Sequence, residues 1–145
     1  MIVLKTQREI ELIRSNGRIV AEVLKLMGEK IAPGIKTVQL DKLAEELIRS
    51  KSAYPAFKGY RGYPASICVS IDNEIVHGIP GERVIKEGEI VSIDIGVLKD
   101  GYYADAAYTF AAGTISPEKE RLVSITKKAL EAGIAFVKVV NRLGD

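Results

Sequence analysis

The sequence has one cysteine, one histidine and almost no net charge, and each shortage excludes a class of protein. Because Cys68 is the only cysteine, no disulfide can form within the chain, and we expect a reducing compartment, the cytoplasm. The 21 basic and 19 acidic side chains give a net charge of +2, which predicts no binding to DNA or to a membrane surface. No apolar run approaches the roughly 18 residues of a membrane span, and the N-terminus lacks the apolar segment of a signal peptide.

What is present is the composition of a globular protein. Hydrophobic residues make up 47% of the 145 positions and charged residues 28%. A T-x-x-E capping box at Thr6 and Glu9 begins an amphipathic helix that ends before Pro33-Gly34. A second apolar stripe predicts a helix over residues 38–50. Residues 53–66 are rich in aromatic residues and glycine and predict a loop.

Strand patterns follow in the middle of the chain. Residues 67–71 are a strand candidate, and residues 89–98 alternate more clearly than any other segment. Asp100-Gly101 is a strong hairpin turn signal, so residues 102–111 are the partner strand. Ser116-Pro117 then begins a third helix. Its predicted buried face consists of Leu122, Ile125, Ala129, Ile134 and Val137.

A faint internal repeat accompanies this order of elements. The long first helix and its break have a counterpart that starts at Ser116, about one turn shorter, so a helix-helix-hairpin unit would be complete near Gly113. The chain stops at Asp145, where the next helix of a second copy should begin. We therefore expect residues 1–145 to be a single, incomplete α/β domain whose third helix has little to pack against.

Two aspartates stand on the predicted hairpin. If Asp100-Gly101 is a two-residue loop, Lys99 pairs with Tyr102, and Asp94 and Asp105 become diagonal neighbours on one face, roughly 7–8 Å apart at the backbone. A three-residue loop would put them on opposite faces. Two carboxylates on one face repel unless a cation compensates, which predicts ligands of a two-metal site. The alternative is a solvated face with two ordinary aspartates.

The neighbours of this pair allow two interpretations each. Small residues on the same face, namely Ser92, Gly96 and Ala107, would leave room for ions and substrate. The lone His77 suits proton transfer or hydrogen bonding to a substrate, or is a packed or capping residue. The aromatic loop either covers a core or forms a wall of an apolar pocket. Cys68, among apolar neighbours, is best interpreted as a small buried residue with no metal or nucleophilic role.

Together these segments resemble the type I methionine aminopeptidases. The resemblance covers essentially the whole chain, as the N-terminal portion of such an enzyme, and the two aspartates are eleven residues apart as in that family. It depends on four stretches: FKGYRGYPASICVSI (57–71), EIVHGIP (74–80), GEIVSIDIG (88–96) and DGYYADAA (100–107).

The resemblance implies the α/β pita-bread fold, with the N-terminal helix-helix-sheet half plus the first helix of the second half. It implies removal of the initiator methionine from nascent chains by two divalent ions (Co, Mn, Fe or Zn), in the cytoplasm, by a monomer when complete, with association with the ribosome as a further implication. Carried over to this sequence, it assigns metal ligation to Asp94 and Asp105, catalysis and substrate contact to His77, and the methionine pocket to Tyr60, Tyr63 and Cys68, while Phe57 replaces a residue that is often cysteine.

The resemblance also implies that ligands are missing. The family's other metal ligands are one histidine and two glutamates of the second half, so the chain by itself should be inactive or very weak. Two alternatives stay open: a non-catalytic binding module of the same fold that retains the half-site, and a proline-specific relative. The second alternative is disfavoured because such relatives usually carry an added N-terminal domain, whereas here the first helix begins at Thr6.

Overall fold

The computed structural model describes residues 3–144. The predicted extended lead-in is therefore described only from Val3, and the predicted helix start at Asp145 lies outside the described residues. The elements are α1 (Gln7–Lys30), α2 (Thr37–Ser50), β1 (Tyr54–Pro55), β2 (Ile67–Ile71), β3 (Ile90–Lys99), β4 (Tyr102–Ala111) and α3 (Pro117–Phe136), with a short 3₁₀ helix at Tyr60–Gly62.

The chain divides into two compact units between Thr114 and Ile115. This boundary coincides with the point, between Gly113 and Ser116, where the repeat predicted the first helix-helix-hairpin unit to end. The first unit holds α1, α2 and the sheet, and the second holds α3.

Helix α1 begins as its sequence predicts. The Thr6 backbone N–H donates to Glu9 Oε2 at 2.7 Å, and the Glu9 N–H donates to Thr6 Oγ1 at 3.3 Å, which completes the capping box. Helix α2 begins at Thr37, one residue before the prediction. Local capping and the apolar stripe therefore locate both helices of the first unit.

The sheet is antiparallel and built around β3. Strand β4 pairs along one side of β3, while β2 and the two-residue β1 pair along the other. Residues 53–66 were predicted to form a loop, and β1 was missed because it is only two residues long and contains Pro55. It exists because the end of β3 extends past β2 and pairs Tyr54 with Leu98.

The core lies between the two helices and one face of this sheet. Val91, Ile93, Ile95 and Val97 of β3 are buried on that face. Val20, Val23 and Met27 of α1 and Leu40, Ala44 and Ile48 of α2 complete the core with them. Because side chains alternate along a strand, Ser92, Asp94 and Gly96 point to the opposite face.

The second unit has a well-formed helix start, and its described residues, 115–144, form no core. Lys119 N–H donates to Ser116 Oγ at 3.4 Å and Pro117 occupies the first turn, as predicted. The predicted buried face is wrong, because no residue of α3 is buried. Its five members are all exposed: Leu122, Ile125, Ala129, Ile134 and Val137. An amphipathic stripe becomes buried only against another apolar surface, and the described part of this unit offers none. Among residues 3–144, no helix is both long and apolar enough to cross a membrane.

Candidate metal centre

The hairpin brings the two aspartates to one face. Asp100 and Gly101 have φ values of 52° and 81°, the left-handed pair that a two-residue type I′ turn requires. Asp94 lies opposite Ala107, and Asp105 opposite Gly96. The Ser92 and Thr109 hydroxyls lie 2.8 Å apart across the strands on this same face. The predicted register and the shared face of the two carboxylates are thus confirmed.

The space beside Gly96 is occupied. A Cβ atom at Gly96 would lie 2.5 Å from Phe57 Cε1 and 3.1 Å from Ala56 Cβ. The expectation that small residues leave open room is therefore wrong at this position, where the Phe57 ring lies against the backbone of β3. Glycine is needed here so that the aromatic ring can approach the strand that carries Asp94.

Asp94 carries an unpaired buried atom. Its Oδ1 is buried and has no hydrogen-bond partner among the described residues. Burial raises the pKa of this carboxyl, and Asp105 raises it further, while His77 and the Ile95 N–H act in the opposite direction. Burial also raises the pKa of Asp105. A carboxylate oxygen with no partner is costly unless a proton or a cation neutralises it.

These features fit a divalent cation in part. Carboxylate oxygens suit divalent ions, and two carboxylates on one face can bridge a pair of them. Within residues 3–144, however, no group of three or more His, Cys, Asp and Glu side chains is arranged to hold a metal ion. The described residues therefore supply two carboxylate donors, fewer than the four or more that such ions usually take.

His77 lies in the loop between β2 and β3 and is exposed. Its φ of 61° is in the left-handed region, which is uncommon for a residue other than glycine. His77 lowers the pKa of the Asp94 carboxyl. The next residue, Gly78, donates its N–H to the hydroxyl of Ser70, which lies on the same side of β2 as Cys68. The loop that carries the lone histidine is thus bonded to the strand that lies opposite Asp94.

The predicted pocket residues differ in their placement. Cys68 is buried on β2 directly opposite Asp94, and burial raises the pKa of its thiol. Tyr63 is half-buried, and its hydroxyl lies 3.1 Å from the carbonyl oxygens of both Ile67 and Gly78. Burial raises the pKa of Tyr63 above its usual range, and Cys68 adds to the effect. Tyr60 is 65% exposed and stacks with the Arg61 guanidinium, 5.5 Å from the ring centroid.

Comparison with known proteins identifies the family. A profile described as metallopeptidase family M24 matches residues 11–145. The chain belongs to this family. Membership in M24 implies the use of divalent metal, which agrees with the partial fit of the carboxylate pair.

The relatives of this M24 chain are longer than it is. It is 49% identical over 145 residues to a methionine aminopeptidase of Clostridium perfringens and 46% identical over 145 residues to methionine aminopeptidase 1 of Bacillus subtilis. In both cases the match covers 100% of this chain and 58% of the relative. A methionine aminopeptidase structure from Thermotoga maritima is 40% identical, with a TM-score of 0.92, over 95% of this chain and 56% of that one. The predicted pita-bread fold is confirmed, and the chain spans little more than half the length of these relatives.

One residue of this face, Ser70, was not predicted from the sequence. Ser70 lies two positions after Cys68 on β2 and pairs with Ser92, so it points toward the same side as Cys68. The two-residue spacing between Cys68 and Ser70 could have predicted this, because alternate residues of a strand point to the same face. What no pattern in the strand revealed is that its hydroxyl accepts a hydrogen bond from Gly78, next to His77.

Proposed function

We propose that this chain carries the N-terminal portion of a methionine aminopeptidase and supplies two carboxylate ligands of its metal centre. The observation that carries the proposal is the pairing of Asp94 and Asp105 on one sheet face, with the buried Asp94 Oδ1 lacking a partner among the described residues. The M24 match and the methionine aminopeptidases among the relatives support the substrate, the N-terminal methionine of a nascent polypeptide.

Each residue of the face has a separate task in this proposal. Asp94 and Asp105 would hold a pair of divalent ions (Co, Mn, Fe or Zn). When bound, such ions supply Lewis-acid activation of water and stabilisation of the oxyanion that forms on the peptide carbonyl. His77 donates a hydrogen bond to the substrate beside the metal pair. The bond from the adjoining Gly78 to Ser70, on the strand that pairs with β3, supports this role.

The methionine side chain needs an apolar wall. Cys68 lies opposite Asp94, and the Tyr63 hydroxyl donates to the carbonyl of Ile67, the residue before Cys68. They present sulfur and aromatic surface, which suit a thioether. Phe57 packs against Gly96, opposite Asp105 across the hairpin, and adds to the same wall. Tyr60 is the most exposed of the set, so we assign it to the rim of this pocket.

The cellular setting follows from the substrate. We propose that the protein acts in the cytoplasm on chains that emerge from the ribosome, with ribosome association as one way to reach them, and that the complete enzyme is a monomer. The single, buried cysteine agrees with a reducing compartment. The net charge of +2 provides no general electrostatic attraction to nucleic acid.

The metal assignment is tested by binding. Titration of the full chain with Mn²⁺, followed by electron paramagnetic resonance, should show weak binding, because residues 3–144 supply two carboxylate donors. Asp94→Asn and Asp105→Asn should each weaken it at least about tenfold, in line with the effects of altering metal-site residues. Asp100→Asn is the matched control, since Asp100 lies in the turn and asparagine is compatible with a type I′ turn. Equal affinity in Asp94→Asn and Asp100→Asn would contradict the ligand assignment.

Activity is tested with the chain in two lengths. We expect little or no cleavage of Met-Ala-X peptides by residues 1–145 with Co²⁺ or Mn²⁺, because the described residues hold fewer ligands than a working centre needs. A polypeptide extended to the full length of its relatives should cleave them. Asp94→Asn in that extended form should lose activity, and full retention would refute the proposal.

A second candidate function is a binding module that retained the fold and lost catalysis. The observation that favours it is the lack of any three-donor group among residues 3–144. The extended polypeptide separates the two candidates. Absence of peptide cleavage in the extended form, with metal binding intact, would favour the binding module.

A further inference from the structure

The backbone at His77 adopts a conformation that must be held by its surroundings. Its φ of 61° is left-handed, where a residue with a Cβ is strained. The side chain itself is exposed, so burial does not hold it. Strained residues persist only when neighbouring structure determines them, and they cluster at functional sites. The contacts of the adjoining residues must therefore supply the restraint at His77.

The restraint lies at the next residue. The Gly78 N–H donates to Ser70 Oγ at 3.1 Å, and the Gly78 carbonyl accepts from the Val69 N–H at 2.9 Å. The Tyr63 hydroxyl lies 3.1 Å from the same carbonyl oxygen. A Cβ atom at Gly78 would lie 2.1 Å from the Val69 carbonyl oxygen, so only glycine can approach β2 this closely. These contacts of Gly78 with Ser70, Val69 and Tyr63 form what we call the Gly78 clasp.

The Gly78 clasp is attached to the strand beside the carboxylate pair. Ser70 is 4% exposed, pairs with Ser92, and shares its side of β2 with Cys68, which lies opposite Asp94. A residue bound to Ser70 is thereby fixed relative to β3. Since His77 directly precedes Gly78, its position relative to Asp94 depends on these bonds.

We propose that Ser70 is a positioning residue of this enzyme, which fixes the Gly78 N–H on β2 and so sets the position of the His77 imidazole relative to the carboxylate pair. The inference rests on the proposed function, in which His77 contacts the substrate next to the metal pair. Ser70 itself touches neither metal nor substrate and acts through His77. Tyr63, whose hydroxyl donates to the carbonyl oxygen of Gly78, reinforces the restraint.

A purely structural role for Ser70 would predict something different. In that case its hydroxyl only satisfies the Gly78 N–H, and its loss would lower stability without moving the imidazole. A probe of His77 itself is therefore needed. The chain offers one, because His77 is its only histidine and gives a single set of imidazole signals in NMR spectra.

The experiment uses the full chain with Mn²⁺ as a paramagnetic probe. Mn²⁺ at the carboxylate pair should broaden the His77 ring signals strongly. At matched Mn²⁺ occupancy, Ser70→Ala should reduce this broadening several-fold, while Ser70→Thr, which keeps a hydroxyl, should restore it at least in part. The matched control is Ser66→Ala, because Ser66 is also buried in this segment but its hydroxyl donates to Glu45. The three-bond coupling between the His77 amide and Hα protons reports φ without metal, and should change only in Ser70→Ala.

The outcomes separate the inference from the function on which it rests. Broadening that is equal in wild type and Ser70→Ala would overturn the role of Ser70. No broadening in wild type would count against the proposed metal site. In that case the three-bond coupling at His77 is the only test of the inference. A coupling unchanged by Ser70→Ala overturns the inference, and a changed coupling supports it. If Ser70→Ala does not fold, Tyr63→Phe, which removes the other side-chain bond to Gly78, is judged by the same readouts.

Discussion

Helices α1 and α3 have similar sequence signals but differ in burial. Both begin at a hydroxyl cap, Thr6 and Ser116, and both carry an apolar stripe. Helix α1 buries Ile19, Val20, Val23 and Met27 against the sheet and α2, whereas α3 buries nothing. The difference shows that capping and periodicity locate a helix in the sequence, while its burial depends on a partner surface that the stripe alone does not provide.

The largest effect should come from truncating the buried stripe. Met27 is 0% exposed, so Met27→Ala should lower the free energy of unfolding by about 3 kcal/mol through lost burial and a cavity. Leu122 of α3 is 58% exposed, and Leu122→Ala should change stability by less than about 0.5 kcal/mol. Urea denaturation followed by circular dichroism measures both.

A comparable loss of unfolding free energy in Met27→Ala and Leu122→Ala would contradict the difference in burial between α1 and α3. It would mean that Leu122 has a packing partner in solution, such as a second chain. Repeating the denaturation at several protein concentrations would reveal such a partner, since association makes apparent stability depend on concentration.

The sequence predicted local elements better than tertiary burial. The Thr6 capping box, the Asp100-Gly101 turn and the alternation of β3 are each encoded within a few residues, so the helix start, the hairpin register and the shared face of Asp94 and Asp105 followed from them. The buried face of α3 did not follow, because it depends on what packs against the helix. The ring of Phe57 over Gly96 did not either, because the two residues are far apart in sequence.

In the candidate site, too, the local features were predicted from the sequence and the long-range contacts were not. The carboxylate pair came from hairpin arithmetic, which is local. Assignment of His77, Tyr63 and Cys68 to one site needed the resemblance, because nothing in their spacing brings the loop after β2 toward β3. The hydrogen bond from Gly78 to Ser70 could not be predicted from the sequence, because it depends on how closely the loop after β2 folds back on that strand.

Glycines inside the two helices should give an intermediate effect. A Cβ at Gly28 of α1 would lie 2.8 Å from Phe110 Cε1, so Gly28→Ala must displace that ring and should destabilise by about 1–2 kcal/mol. Gly133 of α3 has nothing within 4 Å of such an atom. Gly133→Ala should instead stabilise α3 locally by about 0.5–1 kcal/mol, because alanine favours helix.

Gly17 supplies the control within α1. A Cβ atom at Gly17 would also meet nothing within 4 Å, so Gly17→Ala should raise the unfolding midpoint while Gly28→Ala lowers it. Thermal unfolding followed by far-UV circular dichroism, which reports helix content, compares the three variants. Destabilisation by Gly133→Ala would indicate that the α3 backbone is closely approached by another surface, contrary to its exposure.

The smallest effect should be the pH dependence of the two helix caps. Hydrogen bonds from the Thr6 backbone and hydroxyl, and from the Tyr102 hydroxyl, lower the pKa of Glu9 to about 2 from an ordinary 4.5. A carboxyl with a lowered folded-state pKa stabilises the fold above its unfolded pKa, and this stability is lost as pH falls through the folded value. The contribution of Glu9 should therefore fade between pH 4.5 and pH 2.

Glu9→Gln isolates that contribution, since glutamine completes a capping box but does not titrate. The stability difference between wild type and Glu9→Gln should shrink as pH falls through this window, and a constant difference would refute the assignment. In α3 the position that corresponds to Glu9 is Lys119, whose side chain has no oxygen to accept a capping hydrogen bond. The cap of α3 therefore lacks a titrating carboxylate, and Ser116→Ala should alter helicity equally at all pH values. Because the Tyr102 hydroxyl donates to Glu9 at 3.0 Å, the α1 cap is also a tertiary contact with β4, and its titration reports on the folded unit rather than on one helix end.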